Sequence, residues 1–76
     1  MTPATVRTST LHVTDHVAHP GDSSIRLEVR DVVWCADLHA WHVWVHELGT
    51  GNPLPFYCLE VTPQHRWARL ALAVAR

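Results

Sequence analysis

The chain predicts a small single α+β domain over residues 1–76: a four-stranded, mainly antiparallel meander with one C-terminal helix on one face, in the order ββββα. Three observations point there. Residues 25–30 alternate, with Ile25, Leu27 and Val29 apolar and Arg26, Glu28 and Arg30 charged, as in a strand with one wet face. Clusters of turn formers at residues 15–24 and 49–53 separate segments of strand length. Near the end, Trp67, Leu70, Ala71 and Val74 fall at i, i+3, i+4, i+7, one apolar face of a helix.

Taken in order, residues 5–14 (TVRTSTLHVT) are rich in threonine and valine and predict the first strand. Residues 15–24, centred on Pro20 and Gly21, predict a loop. The strand at residues 25–30 can continue through Val32, Val33 and Trp34 if a bulge falls near Asp31. After the turn at Gly49, Thr50, Gly51, Asn52 and Pro53, residues 54–62 (LPFYCLEVT) predict a strand, with Pro55 marking an edge or terminus. Thr62 followed by Pro63 reads as an N-cap and first helical residue. Arg66, Arg69 and Arg76 then lie on the polar side of the helix, a solvated face.

Residues 34–46 (WCADLHAWHVWVH) hold three of the four tryptophans and three of the seven histidines. Two readings compete. In one, residues 36–39 turn and residues 40–48 form a strand, with Trp41, Val43 and Val45 on one face and His42, Trp44 and His46 on the other. In the other, residues 31–48 are helical, the order becomes ββαβα, and Cys35, His39, His42 and His46 line a stripe able to hold zinc. Valine and tryptophan favour strands, so the strand reading is preferred. Chelation depends on the choice: His42 and His46 are about 6 Å apart one helical turn away, but about 13 Å apart along a strand. His12, His16 and His19 have related spacing but run into the Pro-Gly loop, and are read as exposed histidines.

Composition narrows the function. A chain this short buries only about 60% of its unfolded surface and encloses a ligand cavity with difficulty unless it oligomerises. It carries no phosphate-cradling glycine loop, no zinc-protease helix motif and no nucleophile elbow, so an enzyme is not expected. The net charge of −1 disfavours nucleic-acid binding, although a single-strand binder using Trp44 and the arginines is a third alternative. No apolar run approaches the roughly 20 residues that span a bilayer, and no signal sequence is evident; a cytoplasmic protein with reduced Cys35 and Cys58 and no membrane partner is expected. All six basic residues are arginine and none is lysine, which suggests a G/C-rich bacterial or phage gene.

One helix covers one face of such a sheet. The other face then carries Trp44, His42 and His46, joined by Arg26, Arg30 and Tyr57 from neighbouring strands. Exposed tryptophan and arginine dominate binding hot spots. The expected function is therefore non-enzymatic: a small bacterial or phage regulator or inhibitor that docks on another protein through the uncovered face or an edge strand, with self-association as a homodimer and no cofactor. The alternative is a metal-binding protein or sensor built on Cys35, His39, His42 and His46.

Overall fold

The computed structural model describes residues 5–71. They form one six-stranded, wholly antiparallel sheet with a single turn of 3-10 helix and no α-helix, which overturns the ββββα expectation. The strands are β1 (Thr5–Arg7), β2 (His16–His19), β3 (Asp22–Cys35), β4 (Ala40–Leu48), β5 (Tyr57–Val61) and β6 (Arg66–Leu70), arranged in the order β1-β6-β2-β3-β4-β5.

Residues 40–48 are a strand, as preferred, so the ββαβα alternative with residues 31–48 helical fails as well. Trp41, Val43 and Val45 face Val61, Leu59 and Tyr57 of β5. On the other side of β4, Val45, Val43 and Trp41 face Val29, Val32 and Trp34 of β3. The phase of β3 switches between Val29 and Asp31, where Arg30 is the extra residue of a bulge. Leu27 and Val29 point inward before it, and Val32 and Trp34 share the face of Val43 and Trp41 after it.

Two strands arise where none was expected. β2 lies inside the segment read as a loop; Pro20 and Gly21 alone turn the chain from His19 to its partner Asp22. Conversely, the expected strand over residues 5–14 is broken after Arg7 by the 3-10 turn at Thr8–Thr10. β6 replaces the C-terminal helix. Thr62 and Pro63 open a tight turn, in which the His65 N–H donates to the Thr62 carbonyl at 3.1 Å. Proline at the second position of a turn needs the same φ as proline at the first position of a helix, so the local signal is ambiguous. Pairing of β6 with β1 (Val6↔Trp67) and β2 (His16↔Leu70) decides for strand. Val74 and Arg76, part of the expected helix, lie outside the described residues.

That four-residue connection dictates the shape of the sheet. Three strands stand between β5 and β6, which in a flat sheet puts them about 19 Å apart. A β-turn spans no more than about 7 Å. The sheet therefore rolls upon itself, and its concave face becomes the core. Leu11, Val17, Leu27, Val29, Val43, Val45 and Trp67 fill it. Val6, Ile25, Val32, Trp41, Tyr57, Leu59 and Val61 pack around them. The Trp67 indole N–H donates to the buried Thr8 hydroxyl at 2.8 Å, and no buried side-chain polar atom among the described residues lacks a partner. No helix among the described residues is long and apolar enough to cross a membrane.

Candidate functional site

Residues opposite one another in an antiparallel pair share a face. The convex face of β3–β5 thus carries the rows Arg26/Leu48, Glu28/His46, Asp31/Trp44/Cys58 and Val33/His42/Glu60. Five of the six residues expected to bind a partner lie on it or at its bulge: Arg26, Arg30, His42, Trp44 and His46. Tyr57 does not. It stands opposite Val45 and packs against the core, a correction that follows from register, which the sequence alone does not specify.

At the centre of this face, Trp44 is 37% exposed although it sits in the middle of β4, a strand paired on both sides. Phe56 meets it edge-on, with ring centroids 5.9 Å apart at 78°, and is itself 52% exposed. Trp44, Phe56, Arg30 and Asp31 line an open depression of about 360 Å³. Arg30 donates one hydrogen bond to Glu28 at 3.0 Å, which leaves most of its donors free. Asp31 uses one oxygen on the Val32 N–H at 2.9 Å.

Phe56 was missed because residues 54–62 read as one strand. Pairing begins only at Tyr57, and residues 49–56 fold as a loop over the edge of the convex face. Gly49 and Gly51, both at φ +74°, supply the left-handed turns. The Leu54 N–H bonds the Asn52 side chain at 2.9 Å, and His46 donates from Nδ1 to the Pro55 carbonyl. The prolines at 53 and 55 are the signal that could have placed Phe56 off the strand.

The base of the loop is tied on the concave side. Glu47 accepts hydrogen bonds from the Thr50 hydroxyl and the Tyr57 phenol, both at 2.6 Å, and these hold its carboxyl below the usual range. Burial, reinforced by the Glu47 charge, pushes the Tyr57 phenol up to about 12. Since the native value lies above the unfolded one, this stabilisation is complete below about pH 10 and is lost as pH rises through 12. Tyr57 is the only tyrosine, so its ionisation is read without ambiguity. Ultraviolet difference titration should give a midpoint near 12, and Glu47→Gln should lower it. A wild-type midpoint at the value of free tyrosine would show that the contact does not form in solution.

The remaining polar residues of the face are engaged pairwise. Arg26 bonds His16 Nδ1 and the Ala71 carbonyl, both at 3.0 Å, and so ties β2 and the end of β6 together. His42 Nε2 lies 3.1 Å from Glu60. Acidic Glu28, Asp31 and Glu60 outnumber Arg26 and Arg30, so the platform lacks the basic excess that backbone phosphates require.

The helical stripe needed for zinc is not formed. Cys35 ends β3, His39 lies in the turn at φ +49° with its ring against Trp34, and His42 and His46 are separated along β4. His12, His16 and His19 contact Asp15, Arg26 and the Gly21 N–H respectively. Among the described residues, no three His, Cys, Asp or Glu side chains are grouped to hold a metal ion. Cys35 and Cys58 are free thiols. A second aromatic group, Trp34 packed on Trp41 at 5.2 Å, closes the far end of the β3–β4 hairpin beside exposed Leu38. No protein-family model, curated protein or solved structure matches this chain.

Proposed function

We propose that this chain is a non-enzymatic docking protein that captures a partner protein through the convex sheet face around Trp44. One observation carries the reading: two large aromatic side chains, Trp44 and Phe56, meet edge-on yet are left exposed, beside an open depression rimmed by Arg30 and Asp31. A tryptophan with this much solvent exposure contributes less to folding than a buried one, and such aromatic anchors dominate interface energies. The matching partner surface presents an apolar side chain to the depression and a carboxylate to the free donors of Arg30. A regulator or inhibitor of a cytoplasmic bacterial or phage protein fits a chain of this size with reduced thiols.

The test compares Trp44→Ala with Trp34→Ala, an equally large exposed tryptophan at the hairpin end. Immobilised wild-type and Trp34→Ala proteins should retain the same partner from an extract of the source cell. Trp44→Ala should lose it by at least tenfold while keeping the wild-type circular dichroism spectrum. Equal retention by both variants would refute the assignment.

A further inference from the structure

The two edges of the sheet are unlike. β1 is three residues long, and Arg66 engages its first residue: its guanidinium donates to the Thr5 carbonyl at 2.8 Å and to the Thr5 hydroxyl at 2.9 Å. β5 has five residues and, among the described strands, pairs only with β4. Its other side makes no backbone hydrogen bond among the described residues. Every second residue of an antiparallel strand aims its N–H and C=O away from a given neighbour, so β5 offers a row of unpaired donors and acceptors. The usual protections of such an edge are charged side chains, above all lysine, proline, a bulge or a covering segment. Within Tyr57–Val61 only Glu60 is charged, and no lysine, proline or bulge falls there, although Pro55 and Pro63 bracket the strand.

We propose that the occupant of this edge is a second copy of the chain, with β5 pairing antiparallel to β5 of its partner about a twofold axis through Leu59. The choice of register rests on charge. With Leu59 on the axis, Leu59 faces its own copy, Tyr57 faces Val61 and Cys58 faces Glu60, so all five residues pair and no like charges meet. An axis through Glu60 would set two carboxylates directly opposite, which is destabilising. An axis through Cys58 would leave Val61 unpaired and set Phe56 against Glu60. Tyr57, Leu59 and Val61 lie on the concave face and are only half-buried in the single chain. The twofold pairing joins these rows and extends each core across the boundary. It also closes: a twofold contact uses the same β5 edge of both copies, so pairs form rather than fibres. The two Trp44 depressions remain open on the convex side, independent of this contact.

Light scattering on a size-exclusion column should give twice the chain mass of 8.6 kDa at high micromolar concentration, falling to the single mass on dilution. Leu59→Lys should shift the midpoint of that dissociation upward by at least tenfold. Because that variant loses apolar surface, cysteine crosslinking provides a second reading. In a Cys35→Ser, Cys58→Ser background, oxidation should crosslink Leu59→Cys chains efficiently. It should crosslink Glu60→Cys chains poorly, since residues 60 of the two copies lie diagonally, about 8 Å apart, beyond disulfide reach. A single mass at all concentrations would overturn the proposal, as would equal crosslinking from both positions. A dimer unchanged by Leu59→Lys would place the contact elsewhere and also overturn it.

Discussion

Trp67→Ala is expected to remove a large share of the stability of this domain. Trp67 is 1% exposed and is the largest fully buried side chain among the described residues. Truncating a buried tryptophan to alanine costs about 3–5 kcal/mol. A chain of 76 residues has roughly 4–11 kcal/mol in total at the usual stability per residue. The loss is concentrated because Trp67 links parts of the sheet that nothing local holds together: it pairs with Val6 of β1, fills the concave face, and donates to Thr8 across 59 positions of sequence. Trp67→Phe separates the two contributions. It keeps a ring in the core but leaves the Thr8 hydroxyl, 1% exposed, without its donor, at a cost of about 1–3 kcal/mol. Adding Thr8→Val to Trp67→Phe should recover part of that loss, because an apolar pair leaves no unsatisfied group. Urea midpoints of the wild type, Trp67→Phe, Thr8→Val and the double variant measure this cycle, and that of Trp67→Ala measures the full truncation. A shift under about 1 kcal/mol for Trp67→Ala would mean that the roll of the sheet does not depend on this residue.

The same residue shows why the C-terminal element was misread. Residues 66–70 (RWARL) lack strand alternation and fit helical spacing better, with Trp67 and Leu70 three apart, and Thr62-Pro63 suits a turn as well as a helix start. The partners that decide the matter, Val6 and His16, lie more than 50 positions away, where periodicity carries no information. β2 escaped for a different reason: HVAH has only two apolar residues and abuts a strong turn signal. The centre of the sheet was legible. β4 alternates β-branched and aromatic residues between a turn and Gly49, and its bounds, Ala40–Leu48, are those the pattern implies. Trp44 was placed on the correct face by that alternation alone. Phe56 and Asp31 were not placed beside it, because their proximity depends on a loop fold and a bulge. Tyr57 was put on the wrong face because the start of pairing in β5 is a tertiary property, set by where the loop anchored through His46 and Glu47 ends.

Deleting Arg30 is the second change with a large expected effect, and it separates backbone shape from hydrophobic pattern. Arg30 is the extra residue of the β3 bulge, between the pairs Val29↔Val45 and Asp31↔Trp44. Without it the two pairs become consecutive, and every later residue of β3 keeps its face: Asp31 outward, Val32 inward, Val33 outward. No buried apolar surface is forfeited on paper. What is lost is the kink and added twist that a bulge imposes. That kink sits just beyond Val29, whose N–H and C=O bond Asp15 and Thr14 on the β2 side at 2.8 Å; further along, β3 pairs with β4 only. It therefore lies where the sheet must turn for β5 and β6 to be joined by four residues. A straightened β3 pulls the two halves apart and opens the core around Trp67, and a loss of about 2–3 kcal/mol is expected. Arg30→Ala is the control. It keeps the bulge and removes an ion pair whose arginine side chain is 54% exposed, a change of about 0–1 kcal/mol. Chemical denaturation of both variants measures the difference between them. If the deletion proves as mild as the substitution, the roll comes from strand twist alone and the bulge serves only to aim Arg30 and Asp31 at the depression beside Trp44.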